Sequence, residues 1–185
     1  MSAFRRNLPV ILAAIVAASG TGIVLRVGRG PVRETVLLTL GEVQVVHAEL
    51  SIGGKPVRGI TRFGEGVTVE TSADGRGRLR MDDGTSVVLG RSTKLVTSRG
   101  GLRVEAGQVF VDGPAGARTT ITAGGVSAIA AGATVAVDAL AGGAGAKFYC
   151  SAGELVVRGK GEHRLRSGET ATVSAGDVKV APEKA

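Results

Sequence analysis

The residues able to do chemistry in this sequence are few and scattered. Cys150 is the single cysteine, so no intramolecular disulfide can form and no thiolate zinc site can be built. It stands in an apolar slot of the local pattern, which is the place of a core thiol and not of a nucleophile. His47 and His163 lie far apart in the chain, and neither has a Ser or Cys beside it in an elbow or triad arrangement. Asp82-Asp83-Gly84-Thr85 has the look of a calcium loop, yet the further oxygen ligands and the bidentate Glu at fixed offset are missing. Gly124-Gly125 and Gly142 to Gly145 are not followed by Lys-Ser/Thr, so they are not phosphate cradles. The sequence thus predicts no enzyme, no metal and no cofactor, and assigns the Asp-Gly residues to turns.

The elements around those residues read as strands. Between Val67 and Leu89, the apolar positions Val67, Val69, Leu79, Met81, Val87 and Leu89 fall at period two, which puts one face of each strand against a core. Asp74-Gly75 and Asp83-Gly84 interrupt the alternation, and Asp-Gly suits a tight type I′ turn because Gly reaches positive φ without a Cβ clash. The stretch therefore predicts two successive hairpins.

A recurrence runs along the chain: an apolar residue, Gly three positions later, then a β-favouring pair. Its glycines are Gly41, Gly66, Gly84, Gly107, Gly132, Gly153 and Gly168, and the apolar positions include Phe63, Val104, Ile129, Cys150 and Leu165. The spacing is too irregular for a strict solenoid, but one strand-turn-strand unit cannot bury its apolar face alone. The prediction is an all-β, rolled, solenoid-like two-sheet domain with structural turns at Asp74, Gly75, Asp83, Gly84, Gly107, Gly132, Gly153 and Gly168. Thirty glycines, 43% apolar residues and no Trp in 185 residues agree with many turns around small aliphatic core residues.

Residues 1–30 read as a basic tail followed by a membrane anchor or signal helix. Leu8 to Leu25 is long enough to cross a bilayer as a helix at the short end of the range. Arg5-Arg6, the apolar run and Ala17-Ala18-Ser19 equally compose a cleavable signal peptide. The β domain is placed at residues 31–180, with 181–185 a frayed tail. Four of the seven net positive charges belong to Arg5, Arg6, Arg26 and Arg29, leaving +3 for the rest of the chain. Lys and Arg there are dispersed along alternating strands, without the clustering and stacking aromatics of a nucleic-acid binder, so no nucleic acid is expected. Tyr149 and four Phe, spread through the chain, do not suggest an aromatic platform for a polysaccharide or peptidoglycan, which is the alternative binding class.

The order of these features resembles the FecR domain family. It is carried by V-x-T-x-x-x-G-R-x-x-L-x-M-x-D-G-T-x-V-x-L from Val69 to Leu89, by Val104 to Val111, by Ala131 to Val137, and by Ser151–Val157 with Leu165–Glu169. It spans residues 38–173, and departs from the family at Ala136 and Val137, where an aromatic is common. The resemblance implies an exported domain of a bacterial signalling regulator: a non-enzymatic envelope module for binding, scaffolding or signal sensing, acting through an envelope or membrane protein partner. It places the chain in the inner membrane as a single-pass protein with its C-terminal domain in the periplasm, or free in the periplasm after signal cleavage. In signalling members of the family a cytoplasmic anti-sigma domain precedes the membrane segment. Met1 to Asn7 are too few for a standard interface of about 20 to 30 residues a side, so direct sigma-factor binding is not expected.

Overall fold

The structure, a computed structural model, describes residues 39–182. The expected anchor Leu8–Leu25, its flanking arginines and the start of the predicted domain lie outside the described residues. Among the described residues no helix is long and apolar enough to cross a membrane.

Among the described residues fifteen strands form one continuous mixed sheet: β1 (Thr39–His47), β2 (Leu50–Ile52), β3 (Lys55–Pro56), β4 (Ile60–Gly64), β5 (Thr68–Thr71), β6 (Arg76–Met81), β7 (Ser86–Leu89), β8 (Lys94–Ser98), β9 (Gly101–Asp112), β10 (Arg118–Ala123), β11 (Val126–Ala139), β12 (Gly145–Arg158), β13 (Glu162–Arg166), β14 (Glu169–Ser174) and β15 (Asp177–Pro182). The registers divide it into two layers. Layer A runs β4-β1-β6-β7-β9-β11-β12-β14-β15, using the C-terminal halves of β9 and β11 and the N-terminal half of β12. Layer B runs β3-β2-β5-β8-β9-β10-β11-β12-β13, using the other halves of the same three strands. All pairings are antiparallel except β9 with β10. The expected all-β roll is what is found.

β9, β11 and β12, of 12, 14 and 14 residues, are long because each serves both layers. Each bends at a glycine of the recurrence: Gly107 at φ 83, Gly132 at φ 54 and Gly153 at φ 82. The β11–β12 register shifts between Ala131 and Val135, and the β8–β9 register shifts opposite Ala106. Such irregularities bend a strand and strengthen its twist, which redirects the chain from one layer to the other. At Gly107 a side chain is excluded twice over. Its φ is left-handed, and a Cβ would lie 2.6 Å from Thr93 Cα and 2.7 Å from the Ser92 carbonyl oxygen.

The core lies between the layers. Layer A contributes Val87, Leu89, Val109, Val111, Val135, Val137, Phe148 and Cys150; layer B contributes Leu95, Leu102, Val104, Ile121, Leu155 and Val157, all buried. Ala128, Ala130, Ala133, Ala146 and Ala171 are buried as well, small residues that let the layers approach. The hydroxyls of Thr85 and Thr119 meet at 3.2 Å inside this core, so polar groups there are paired.

Three local expectations are corrected. Only the second of the two hairpins exists. β6 pairs with β7, whereas β5 pairs with β2 and β8, so the Asp74-Gly75 turn carries the chain from layer B to layer A. Gly75 is not at positive φ; a Cβ there would collide with the Glu49 carbonyl and lie 2.7 Å from the Ser72 nitrogen. Alternation fixes which side of a strand is buried but not which strand lies beside it, and β5 lies between β2 and β8 instead of beside β6. The second hairpin is closed by Met81 N–H donating to the Thr85 carbonyl at 2.8 Å, with Gly84 N–H donating to the Met81 carbonyl at 3.0 Å. Of its loop residues Gly84 alone has positive φ, the three-residue type I plus bulge arrangement in place of type I′. At the other end, Ala181 and Pro182 are not frayed: they pair with Thr170 and Glu169 in β15. Residues 183–185 lie outside the described residues.

Candidate binding surfaces

The chemistry-bearing residues do not converge. Cys150 is fully buried, its Sγ 3.6 Å from the carbonyl oxygens of Ala152 and Gly153. Burial, with smaller contributions from Glu169 and Glu154, pushes the thiol above its ordinary range, so it stays protonated at neutral pH. His47 is exposed on β1 and His163 half-buried on β13. Asp83 accepts the Thr85 N–H at 2.8 Å and Asp82 pairs with Arg62 at 3.1 Å, so both serve the turn and its neighbour strand. Among the described residues no group of three His, Cys, Asp or Glu could hold a metal. Gly84 and Gly168 lie in hairpin loops and Gly107, Gly132 and Gly153 in the layer bends, apart from any cleft they could jointly line. Gly124, Gly125, Gly142 and Gly143 all have positive φ beside the short 3₁₀ turn Ala141–Gly143, where they line an open groove of about 540 Å³ with Lys94 and Glu105.

What does converge is the outward face of layer A. Because every second residue of a strand points out, the registers define one row across it: Arg78, Val88, Phe110, Ala136, Tyr149, Thr170. Val88 and Phe110 are each 41% exposed, and Ala136 and Tyr149 are half-buried. These four line a shallow depression of about 430 Å³ with Gln108, Asp138 and Lys147 along one side. The polar neighbours are held in place: Gln108 Nε2 donates to Asp138 at 3.1 Å, Thr134 to Asp112 at 2.8 Å, and Arg78 Nε to Ser86 at 3.1 Å. The sequence expectation that aromatics make no platform is thus corrected in part. Phe63 and Phe148 are buried, but Phe110 and Tyr149 stand on one face, separated only by Ala136. Each lies between two inward core residues, Val109 and Val111 or Phe148 and Cys150, so its outward parity was legible; its neighbours across the sheet were not.

The outward face of layer B is different in kind. Lys94 pairs with Glu70 at 3.0 Å, Arg103 with Glu105 at 3.1 Å, Arg158 with Glu162 at 3.1 Å and Arg164 with Glu154 at 3.6 Å. Glu70, by hydrogen bond and charge, holds the Lys94 ammonium above its ordinary pKa.

The sheet has open edges, which are sites for another strand unless protected. β3 is two residues long and contains Lys55 and Pro56; β13 carries Glu162, Arg164 and Arg166; β15 carries Lys179 and Pro182. β4 is the least protected. Val45 N–H donates to the Gly59 carbonyl at 3.3 Å, so by antiparallel alternation the amides of Ile60 and Arg62 point away from β1. No strand among the described residues pairs with that side. Ile60 and nearby Val46 are 60% and 59% exposed, and Arg62 is drawn onto the sheet by Thr39 and Asp82.

The sequence matches no family model and no curated protein. The fold is shared with a putative anti-sigma factor. Two crystal structures, at 1.65 and 2.50 Å resolution, of a protein so described from Parabacteroides distasonis ATCC 8503 superpose with TM-scores of 0.55 and 0.54 at 16% and 17% identity. The match covers 63% of this chain and 59% of each of those. At such identity the likeness is one of fold.

Proposed function

We propose that this chain is a non-catalytic recognition module of the bacterial cell envelope. It is held at the inner membrane by Leu8–Leu25, with its β domain in the periplasm, and takes part in signalling by binding a protein partner. The FecR-like order of motifs and the fold shared with a protein described as a putative anti-sigma factor support the signalling class. The observation that carries the reading is the β4 edge. Its outward amides and carbonyls can accept a partner strand, and exposed Ile60 and Val46 offer apolar contact beside them. The test is affinity purification of the full-length chain from detergent extracts of its own cells, with Ile60→Pro as comparison. Proline removes an outward N–H without touching the β1 ladder. A partner recovered stoichiometrically with the native chain and lost with Ile60→Pro supports the reading. Equal recovery with both chains, or a C-terminal reporter active only in the cytoplasm, overturns it.

A further inference from the structure

The outward row of layer A has a geometry that the strand-edge reading leaves unused. Neighbouring strands lie about 4.8 Å apart, so Phe110 on β9 and Tyr149 on β12, two strands apart in register, are separated by roughly 9.6 Å, with Ala136 between them. In a β-1,4-linked hexopyranose chain every second sugar presents the same face, and that repeat is close to this distance. Laid across the strands, such a chain seats one sugar over Phe110, the next over small Ala136 and the third over Tyr149. The axial C–H groups of a pyranose form an apolar face that stacks on an aromatic ring, while its hydroxyls project sideways.

The sides of the row suit those hydroxyls. Gln108, Asp138 and Lys147 border one side, and Asp112 with Thr134 the other. The patch is also narrow. Four side chains, two of them half-buried, fall far short of the about 20 to 30 residues a side of a stable protein interface. A slender ligand fits where a protein does not.

We infer that the Val88–Phe110–Ala136–Tyr149 row is a binding site for a β-1,4-linked glycan chain running perpendicular to the strands. The site is independent of the β4 edge.

Tyr149 is the only tyrosine and the chain has no tryptophan, so its fluorescence reports from the site alone. The experiment titrates the full-length chain with chitohexaose, cellohexaose, their monosaccharides and α-1,4-linked maltohexaose. The expected result is a saturable change of Tyr149 emission with at least one β-1,4 hexamer. The monosaccharides bind at least tenfold more weakly and maltohexaose gives no saturable change. Which hexamer binds tells whether acetamido groups are read. Phe110→Ala, an exposed position that leaves the fold intact by circular dichroism, weakens binding at least tenfold. Ile60→Pro leaves it unchanged, separating this site from the strand-edge reading. Absence of a saturable response to both β-1,4 hexamers, an equal response to maltohexaose, or undiminished binding by Phe110→Ala overturns the inference.

Discussion

The outward faces of the two layers are built on the same three long strands, yet they are opposite in character. On layer A, β9, β11 and β12 present Phe110, Ala136 and Tyr149; on layer B the same strands present Arg103, Ser127 and Arg158 in one row, with both arginines in ion pairs. Exposed pairs of this kind contribute little to stability, because both charges are already well solvated and salt screens them. Their use is to keep a broad sheet face soluble. The layer A row, by contrast, keeps apolar atoms in water although the same strands could carry charge there. That departure of one face from the solvated pattern of its twin is what the glycan inference rests on.

The largest expected effect comes from removing the bend that gives β9 a place on both faces. Gly107→Val forces a β-branched residue into left-handed φ and drives a side chain onto Thr93 and Ser92. Backbone strain of about 1–3 kcal/mol and overpacking of about 1–3 kcal/mol together cost about 2–6 kcal/mol. Chemical denaturation should show a clear fall in the midpoint; an unchanged midpoint would mean that β9 does not turn at Gly107. Gly84→Val has the same backbone penalty but a Cβ there lies 3.3 Å from Pro114 Cγ, so it should cost less, about 1–3 kcal/mol.

Thr93 ties the layer B side of that bend to the layer A row. Its buried hydroxyl donates to the Gln108 carbonyl at 3.0 Å and accepts the Gln108 N–H at 3.1 Å. Thr93→Val leaves that N–H without the hydroxyl and should cost about 1–3 kcal/mol in the same denaturation experiment. Native stability in Thr93→Val would show that Gln108 is positioned otherwise.

Smaller effects separate the faces directly. Phe110→Ala should change stability by no more than about 1 kcal/mol, its cross-strand packing on Val88 and Ala136 being partly exposed, and by the same amount at low and high salt. Arg164→Ala, which breaks contacts to Glu154 and Glu162, should also cost no more than about 1 kcal/mol, but its effect should vanish at high salt. Thermal melts of both variants across ionic strength check this, and equal salt dependence would remove the contrast between the faces. The smallest signal is at Cys150. With the thiol buried and its pKa raised, alkylation should not proceed on the native chain at pH 7 to 8 and should begin only on unfolding.

Much of this fold is legible in the sequence, and the missing part has a single physical origin. Alternation gave the inward residues Val87, Leu89, Val109 and Val111, and the recurrent glycines gave the places where the chain turns, whether in a hairpin loop at Gly84 or a layer bend at Gly153. Gly41 is the exception among the described recurrence glycines. It is not at positive φ, and a Cβ there would collide with the Arg80 carbonyl, so it marks the close approach of β1 and β6. Local pattern carries no information on pairing between distant segments. The partners of β5 on either side of Asp74-Gly75 and the meeting of Phe110 with Tyr149 both depend on such pairing, so neither is legible in local pattern.

The most direct test of the account is site-specific photo-crosslinking in living cells, with the same photoreactive residue placed in turn at Ile60 on the β4 edge, at Phe110 on layer A and at Ile129 on layer B. The account predicts a discrete protein adduct from position 60, glycan-bearing adducts from position 110 and none above background from position 129. Adducts from position 129 equal to those from the other two would contradict it.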